Sequence, residues 1–475
     1  MNLLWTSEEM VQAMHARPVG RLPQGVTGIS IDTRTIGRGE AFFAIRGERF
    51  DGHDFVTKAM HAGAALAVVS EEKLVMFGNL QLPLLVVTNV LGALENLARL
   101  ARQRSQARIV AVTGSVGKTS TKEMLRAALA ACGKVHASAA SHNNHWGVPL
   151  SLARMPQSAE YGVFEIGMNH AGEITPLARL VRPHVAIITA VAPAHLGAFR
   201  SVDDIARAKA EIFAGLERGG TAIINRDDRR FRLLGELAAR AKVKNLRSFG
   251  ARKGADFRLQ SAELLAEGSV VEASIAGQPV TYRIGAPGTH FVANSLAVLG
   301  AAATLGADLA KCALALAGVR PEKGRGERHR LRIDGGEAVL IDESYNANPA
   351  SMAAALAVLA ATPVAGRGRR IAVLGDMLEL GRSSNRLHRA LKKPIETAGI
   401  DRVFLAGEKM GELARILHPS LLAGHAASAA ELERPLAASL REGDVVMVKA
   451  SLGSRFTALV ESLLKTYPAV GKAVG

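Results

Sequence analysis

Short apolar runs alternate with helix-length stretches rich in alanine and leucine along most of this chain, and this alternation constrains the fold more than any other feature. The runs with the length and composition of buried strands are Ile109–Val112, Val163–Ile166, Val185–Thr189, Ala222–Ile224, Val339–Ile341, Ile371–Leu374, Val403–Leu405 and Val445–Val448. Strands separated by helices in this way predict an α/β fold with parallel sheets. Ligands of such sheets bind beyond the carboxyl ends of the strands, so the residues after each run carry the functional argument.

Two breaks in this pattern indicate domain boundaries. The chain has 475 residues, too many for a single hydrophobic core. Residues 1–105 contain only short strand candidates and end in a basic segment, and a second basic segment, rich in glycine, spans 319–330. We therefore predict three domains, at 1–105, 106–319 and 320–475. Polar and apolar residues alternate over Ser269–Ile275, which predicts an antiparallel edge on the middle domain.

The composition limits the partners and the compartment. A formal net charge of +16 suggests nucleic acid, anionic lipid or a phosphorylated substrate as partners, but the basic residues are dispersed along the chain. Aromatic residues make up only 4% of the chain, too few for a surface that stacks single-stranded nucleic acid. The two cysteines, Cys132 and Cys312, cannot build a disulfide framework, which favours a reducing cytoplasm.

Neither a secretory signal nor a membrane span is expected. Residues 1–10 include Glu8 and Glu9 and no basic region. Residues 344–366 have no charged side chain, but they include Pro349 and are rich in alanine. This composition predicts a loop that leads into a buried helix, and we expect no membrane insertion.

A phosphate-binding loop follows the first of the listed apolar runs. The segment Val112–Ser120 comes after a strand and before a helix, and its two glycines allow backbone N–H groups to turn towards phosphate oxygens. Lys118 is placed to reach the β- and γ-phosphates, and the Thr119 hydroxyl to ligate Mg²⁺. Position 112 is valine where the strict motif has glycine, so a structural turn that carries Lys-Thr is the alternative. The nucleotide contacts predicted here are Thr113, Gly114, Ser115, Val116, Gly117, Lys118, Thr119 and Ser120.

Two further strand ends carry side chains that suit a metal ion. Glu165 lies at the end of its apolar run, where a buried acid is costly unless a positive charge meets it. Mg²⁺ would supply that charge; the alternatives are an ion pair or a cap on the helix that begins near Glu173. His195 follows another run, but a single histidine is more often a surface or core residue than a ligand.

Longer strings place these residues in a family context. Asn143–Pro149, Glu165–Glu173 and the flanks of His195 and Lys209 resemble four features of the Mur ligase family. These features are an asparagine-rich loop, a metal-carboxylate segment, a metal-binding histidine and a carbamylated lysine. The Mur ligases are ATP-dependent amide-forming enzymes of peptidoglycan precursor synthesis, and their phosphate loop has the shortened form seen here.

The most specific string is Ile341–Met352, and Leu374–Gly381 adds a second one. Both resemble the Mur ligases that join D-alanyl-D-alanine to a UDP-N-acetylmuramoyl-tripeptide. The resemblance therefore implies an ATP-dependent carbon–nitrogen ligase that works through an acyl phosphate and releases ADP and phosphate. It also implies a small N-terminal α/β domain that binds the UDP substrate, a central P-loop domain with a mononucleotide-binding parallel sheet, and a C-terminal Rossmann-like α/β domain that closes on ATP and binds the dipeptide.

The resemblance also implies roles for single residues. The implied catalytic residues are Lys118, Glu165, His195 and Lys209. One Mg²⁺ is implied on Thr119 and a second on Glu165, His195 and a carbamylated Lys209. Further ATP contacts are implied for Asn294, Arg325 and Asp342, the last at the end of the first predicted strand of the third domain. Substrate contacts are implied for Thr33, Arg34, Arg49, Asn143, Asn144, Tyr345, Asn346 and Asn348. We expect a cytoplasmic monomer that takes the UDP-linked tripeptide and D-alanyl-D-alanine, and no nucleic acid.

Some positions depart from the family pattern. Phe291 occupies a position where the family tends to have asparagine, and Glu343 stands where aspartate is usual. The C-terminal Lys-Gly-Ser-Arg string is stretched over Lys449–Arg455. The role of Phe291, and the choice between Ser451 and Ser454 in that loop, are therefore open.

Plain structural roles also stay open for several residues. Without the family resemblance, Lys209 could be a solvated helix lysine and Thr33 a helix N-cap. In the same way, Arg49 could be a surface residue and Arg325 a solvated hinge arginine. For the whole chain, one alternative is an amide ligase that adds a single amino acid to a UDP-linked or other acidic substrate. The others are a nucleic-acid-binding ATPase, favoured by the charge, and a noncatalytic phosphate-loop scaffold.

Overall fold

The computed structural model describes residues 3–78, 81–139 and 142–468. Within these ranges, three β-sheets of five, nine and six strands follow one another along the chain and pack against helices, which confirms the predicted α/β class. Three parallel strands of the central sheet, Arg108–Thr113, Tyr161–Glu165 and Val185–Ile188, are buried almost along their whole length, which is why their sequences read as continuous apolar runs.

The first sheet is small and has the strand order β2-β7-β6-β5-β4, beside an antiparallel pair of β1 and β3. Its strands are β1 Trp5–Thr6, β2 Arg17–Val19, β3 Gly25–Val26, β4 Ile29–Ser30, β5 Ala41–Phe43, β6 Leu66–Ser70 and β7 Leu84–Val87. The helices are α1 Ser7–Met14, α2 Val56–His61 and α3 Val90–Arg104. Helix α3 leads from this sheet into the central one.

The central sheet has the order β16-β15-β14-β13-β12-β11-β8-β10-β9. Its strands are β8 Arg108–Thr113, β9 Val135–Ala137, β10 Tyr161–Glu165, β11 Val185–Ile188, β12 Thr221–Asn225, β13 Asn245–Gly250, β14 Phe257–Leu265, β15 Gly268–Ile275 and β16 Gln278–Ile284. Its helices are α4 Lys118–Ala130, α5 Gly147–Ala153, α6 Ile174–Val181, α7 Val202–Ala210, α8 Phe231–Arg240, α9 Thr289–Thr304 and α10 Leu309–Ala315. The pairing of β15 with β14 and β16 is antiparallel, so the predicted antiparallel edge is confirmed.

The strand order of the central sheet brings the site motifs together. Strand β8 lies between β10 and β11, and all three run parallel. The phosphate loop after β8, Glu165 at the end of β10 and the segment from β11 to His195 therefore emerge at one edge of the sheet.

The third sheet has the order β17-β18-β22-β19-β20-β21. Its strands are β17 Glu327–Ile333, β18 Gly336–Glu343, β19 Arg370–Gly375, β20 Arg402–Ala406, β21 Leu422–Ala426 and β22 Val445–Lys449. Its helices are α11 Pro349–Ala361, α12 Ser384–Arg389, α13 Lys392–Thr397, α14 Gly411–Ala414, α15 Ala429–Ser439 and α16 Phe456–Thr466. Helix α11 follows a loop in 344–366, as predicted, but only one face of the helix is buried, through Met352, Ala355, Leu356 and Leu359. No helix among the described residues is long and apolar enough to cross a membrane.

Strand β17 corrects one expectation. Part of the predicted soft segment at 319–330 belongs to this antiparallel edge strand, so Asp342 lies in the second strand of the sheet and not the first. Leu331 and Ile333 are buried, while Arg330 and Arg332 between and beside them are exposed. Because the other residues of β17 are charged or polar, its sequence shows only two apolar positions and does not predict a strand.

The first two sheets share a hydrophobic core, whereas the third has its own. One cluster of buried side chains runs from Trp5 through α3 to residues of the central sheet and its helices. The Trp5 indole donates a hydrogen bond to the Ala153 carbonyl at 2.8 Å, and Arg154 Nε donates to the Ile29 carbonyl at 2.7 Å. Separate clusters lie on the two faces of the third sheet.

The two cysteines meet beside the central sheet. The Sγ atoms of Cys132 and Cys312 are 3.6 Å apart although the residues are separated by 180 positions in the chain. Cys312 is buried in α10, and Cys132 follows α4.

Candidate active site

A cavity of about 2370 Å³ lies where the three sheets converge, and residues from each sheet's surroundings line it. The predicted site residues in its wall are Thr33, Arg34, Arg49, Ser115, Val116, Gly117, Lys118, Thr119, Ser120, Asn143, Asn144, Glu165, His195, Asn294, Arg325, Tyr345, Asn346 and Asn348. Thr113, Gly114, Lys209 and Asp342 are outside the lining of this cavity. The structure thus brings most of the predicted residues to one space.

The phosphate loop requires glycine at two positions where the side chain of another residue packs directly against its backbone. Gly117 precedes α4 with a φ of +82°, and a Cβ there would lie 2.6 Å from the Asn294 amide nitrogen. A Cβ on Gly114 would clash with the Thr189 hydroxyl. Lys118 Nζ donates to the Gly114 carbonyl at 2.9 Å, so the lysine folds back over its own loop. This arrangement keeps the amino terminus of α4 open towards the cavity.

Lys118 lies in an electrostatic cluster. Burial lowers its pKa, the Glu165 carboxylate opposes that change, and the Arg325 guanidinium adds to it. Two cations and one carboxylate from separate segments therefore act on the same space. Such a cluster is suited to an anionic ligand with several charges.

Glu165 has the features of a metal ligand. Its side chain is 1% exposed; one oxygen, Oε1, accepts a hydrogen bond from Asn143 Nδ2 at 2.7 Å. The other oxygen, Oε2, is buried without a hydrogen-bond partner among the described residues. A buried carboxylate oxygen without a partner is costly, and a divalent cation would remove that cost. The carboxylate therefore fits Mg²⁺, and Asn143 orients it.

Lys209 is buried on α7 and is not a solvated helix lysine. It is 2% exposed, and no ion-pair or hydrogen-bond partner of its amine is found in the described part of the chain. Burial, with a further contribution from the Lys118 charge, lowers the pKa of Lys209 well below its ordinary value. The neutral amine is thereby favoured at this position.

His195 contacts a residue that sequence reasoning did not select. It has a φ of +55°, and its Nδ1 lies 2.5 Å from Oε2 of Glu379, in the loop after β19. The hydrogen bond from His195 lowers the pKa of Glu379. Glu379 belongs to a string that the sequence analysis quoted, but a contact across 184 residues leaves no local signal.

The residues around the third sheet divide into cavity contacts and structural supports. The Arg325 guanidinium carbon lies 4.2 Å from the centre of the Tyr345 ring, at the cavity wall, so Arg325 is not a freely solvated hinge residue. Asp342 is fully buried; Oδ2 accepts from the Gly324 N–H and Oδ1 from the Ser344 N–H, both at 3.0 Å. Asp342 thus fastens the hinge in this conformation.

Asn348 also has a structural task. Its side chain accepts a hydrogen bond from the Ser351 N–H at 3.0 Å and caps α11. The Ser351 hydroxyl in turn accepts a hydrogen bond from the Asn348 N–H at 3.0 Å. In the first domain, Arg34 pairs with Asp32 at 2.6 Å, and Arg49 is exposed. Thr33 precedes no helix, so it is not the N-cap that was the alternative.

Three family models match the chain. The Mur ligase family catalytic domain matches residues 25–105, the Mur ligase middle domain matches 112–302, and the Mur ligase glutamate ligase domain matches 324–452. The UDP-N-acetylmuramoyl-tripeptide–D-alanyl-D-alanine ligase of Escherichia coli (strain K12) is 37% identical over 80% of this chain and 81% of that protein. The chain belongs to the Mur ligase family. The Bacillus subtilis (strain 168) ligase of the same name is 33% identical to this Mur ligase over 96% of the chain and 97% of its own length.

Solved structures of MurF ligases match most of the chain. A crystal structure of MurF from Acinetobacter baumannii has 30% identity and a TM-score of 0.82, covering 97% of this chain and 99% of that one. MurF ligase from Thermotoga maritima in complex with ADP has 26% identity and a TM-score of 0.75, covering 92% and 97%. As a Mur ligase, the chain is an ATP-dependent ligase that forms amide bonds.

The structure also settles the packing of residues that depart from the Mur ligase pattern. Phe291 is 5% exposed and packs in the core beside the central sheet. In the stretched loop, Ser451 Oγ accepts a hydrogen bond from the Leu378 N–H at 3.0 Å, whereas Ser454 Oγ donates to the Asp376 carbonyl at 3.4 Å. Ser451 makes the shorter bond and joins the loop after β22 to the loop after β19.

Lys449 and Glu343 form a partly buried ion pair that the sequence analysis missed. Both residues end parallel strands, β22 and β18, that lie side by side. Lys449 Nζ donates to Glu343 Oε2 at 2.8 Å and to the Asn346 carbonyl at 3.0 Å, and Lys449 is 2% exposed. Their position at neighbouring strand ends was the available signal. The pair holds the Asn346 loop against the third sheet.

Proposed function

We propose that this Mur ligase joins D-alanyl-D-alanine to the free carboxyl group of a UDP-N-acetylmuramoyl-tripeptide, with conversion of ATP to ADP and phosphate. The observation that carries the proposal is the convergence of Lys118, Glu165 and Lys209 beside a cavity lined from all three sheets. The names of the E. coli and B. subtilis relatives, and their coverage of this chain, support the same substrates.

Amide formation from a carboxylate needs activation because hydroxide is a poor leaving group. In the proposed reaction, the tripeptide carboxylate attacks the γ-phosphorus of ATP, ADP departs, and an acyl phosphate forms. The dipeptide amine then attacks the acyl carbon, and the tetrahedral intermediate expels phosphate. Two anions must meet in the first step, so Lys118 and Arg325 contribute by supplying positive charge that is fixed in advance.

We further propose that Thr119 holds one Mg²⁺ and that Glu165, His195 and a carbamylated Lys209 hold a second. Bound Mg²⁺ would neutralise charge between the triphosphate and the substrate carboxylate. The lowered pKa of Lys209 suits carbamylation because it favours the neutral form of the amine, whose lone pair can form an N–C bond to carbon dioxide while a proton leaves to solvent. The product carries an oxygen ligand appropriate for a hard cation.

The substrates are proposed to bind in different parts of the cavity. Residues 1–105 would bind the UDP end through Thr33, Arg34 and Arg49, and residues 106–319 would bind ATP through the phosphate loop and Asn294. Asn143 and Asn144 would lie near the peptide arm. Residues 320–475 would close on ATP and present Tyr345, Asn346 and Asn348 to the dipeptide, with Asp342 supporting the hinge. Closure would exclude water, which hydrolyses acyl phosphates. We propose a cytoplasmic monomer.

One coupled assay tests this function. Phosphate release from ATP should require both the UDP-N-acetylmuramoyl-tripeptide and D-alanyl-D-alanine, and mass spectrometry should detect the UDP-linked pentapeptide. Activity only with free amino acids would favour a single-residue ligase and contradict the proposal. Phosphate release stimulated by DNA or RNA in place of these substrates would favour a nucleic-acid-dependent ATPase.

A further inference from the structure

The contact between His195 and Glu379 joins two strained positions. His195 has a φ of +55° and Glu379 a φ of +63°, and neither is glycine. A non-glycine residue in the left-handed region is uncommon and persists where its surroundings hold it there. Here each residue is part of what holds the other.

The contact is reinforced by the backbone. Beside the 2.5 Å contact between His195 Nδ1 and Glu379 Oε2, the Gly197 N–H donates to the Glu379 carbonyl at 2.9 Å. A Cβ on Gly381 would lie 2.8 Å from the Gly197 Cα, so the two loops pack closely. One loop follows β11 of the central sheet and the other follows β19 of the third sheet. The contact therefore forms only when these two parts of the chain are together.

Nδ1 of His195 is occupied by this contact, which leaves Nε2 as the ring nitrogen that can take a ligand. His195 lines the cavity, whereas Glu379 does not. A carboxylate on one ring nitrogen fixes the tautomer and the ring orientation of a histidine and strengthens the other nitrogen as a metal ligand. Glu379 is placed for that task from outside the cavity.

We propose that Glu379 is a positioning residue that orients His195 Nε2 towards the metal when the third sheet's domain docks on the central one. This inference rests on the proposed function, in which His195 binds a divalent cation. Docking and metal binding then strengthen each other, because coupling between two binding events is reciprocal. The third domain thereby contributes to the metal site without supplying a ligand.

Metal binding measured directly tests the proposal. Mn²⁺ would be titrated in the presence of ADP and bicarbonate, with free Mn²⁺ followed by electron paramagnetic resonance. We expect Glu379→Ala to weaken Mn²⁺ binding about tenfold. Glu379→Gln should recover most of the loss because its amide oxygen still accepts from Nδ1–H. Glu408→Gln, which changes an exposed carboxylate of the same domain that pairs with Lys409, is the matched control and should bind Mn²⁺ normally.

Two further variants separate this proposal from the proposed function. The double variant His195→Ala/Glu379→Ala should bind Mn²⁺ no more weakly than His195→Ala, since Glu379 acts through the histidine. Normal Mn²⁺ binding by Glu379→Ala, with weakened binding by His195→Ala, would overturn the positioning role and leave the metal site intact. Normal binding by His195→Ala would overturn the metal assignment itself.

The histidine ring gives an independent readout if Glu379→Ala does not fold. Nitrogen-15 spectra of labelled protein should show the His195 ring with the proton on Nδ1 in the wild type and in Glu379→Gln, assigned by the signal that His195→Ala lacks. An Nε2-protonated ring in the folded wild type would contradict the proposal.

Discussion

At the scale of single residues, burial is what makes the predicted ligands unusual. Lys118 and Lys209 are ordinary lysines in sequence, but burial lowers the pKa of each, and the Lys118 charge also acts on Lys209. Glu165 has one oxygen held by Asn143 and the other without a partner among the described residues. These three side chains are arranged for charges that a substrate or cation brings.

Replacement of Lys118 should remove ligation and leave the fold in place. We expect Lys118→Ala to lower the rate of dipeptide-dependent phosphate release by at least about 100-fold, because a preorganised positive charge at the phosphates is lost. The control is Lys311→Ala, which changes an exposed helix lysine whose amine lies 3.7 Å from the Asp308 carboxylate, and this variant should keep full activity. Circular dichroism should show both variants folded. A Lys118→Ala enzyme with wild-type turnover would contradict the role of this lysine.

Glu165→Gln should separate two effects of the buried carboxylate, its effect on the stability of the fold and its effect on Mg²⁺ binding. In metal-free buffer we expect a melting temperature equal to or above that of the wild type, since an incompletely paired buried charge is removed. In the ligation assay, the Mg²⁺ concentration for half-maximal rate should rise by about tenfold or more, as a ligand is lost. A lower melting temperature with an unchanged Mg²⁺ dependence would instead indicate a structural ion pair.

At the scale of elements, hydrogen bonds from loop side chains fix the loops against the ends of the strands. In the first domain, Asp51 caps the short 3-10 helix Gly52–Phe55 and accepts from His53 Nδ1 at 2.6 Å and Lys73 Nζ at 3.1 Å. His53 Nε2 in turn accepts from the Ser70 N–H at 2.9 Å, at the end of β6. This small network holds the cavity-lining loop to the first sheet.

The Asp51 network predicts a pH-dependent loss of stability. Burial would raise the pKa of Asp51, but hydrogen bonds from His53 and Lys73 outweigh it and lower the pKa from its ordinary value of 3.8. The carboxylate therefore stabilises the fold above about pH 4, and that contribution is lost as the pH falls through the folded-state pKa. Asp51→Asn should lower the free energy of unfolding by about 2 kcal/mol at pH 7.

Urea unfolding at several pH values would check this prediction. The difference between Asp51→Asn and the wild type should shrink as the pH falls below about 4, where the Asp51 carboxyl of the unfolded chain becomes protonated, and should disappear once the pH has fallen through the lower pKa of the folded state. Asp54→Asn, an exposed position three residues along, should behave as the wild type. A difference that does not change with pH would mean that packing, and not the charge, stabilises this loop.

Elements differ in how far the sequence alone could predict them. The buried strands and the strand-end position of Glu165 could be predicted because burial on two faces leaves continuous apolar runs. Edge strand β17 could not, since its outward side chains are charged. The His195–Glu379 contact arises only when two distant loops meet, so no spacing in the chain encodes it. Lys449 and Glu343 end two apolar runs, but the sequence alone does not show that β22 and β18 are neighbours in the sheet.

At the scale of the whole molecule, the shared core makes the first two sheets one unit. Buried residues from Trp5 to Ala238 form a single cluster, although the first sheet also has a small core on its other face. The third sheet is joined to this unit through the segment at 319–326 and through loop contacts such as His195–Glu379. The molecule is therefore expected to come apart between the second and third sheets.

Limited proteolysis should reveal that division. Trypsin is expected to cut first after Arg320 or Lys323, both exposed, and to yield two resistant fragments whose masses place the cut there. Arg320→Gln/Lys323→Gln should slow this cleavage and leave other sites unaffected. Early release of residues 1–105 would contradict the shared core, because the first sheet would then be stable on its own or readily detached.

The two neighbouring free thiols of Cys132 and Cys312 make the domain motions of the enzyme accessible to site-specific labelling. The chain has no other cysteine, so two substitutions give a background free of reactive sulfur. New cysteines at the exposed positions Arg232 and Glu408, on opposite parts of the chain, would then accept a donor and an acceptor dye. Single-molecule fluorescence from such a pair would follow the opening and closing of the cavity in one enzyme during turnover.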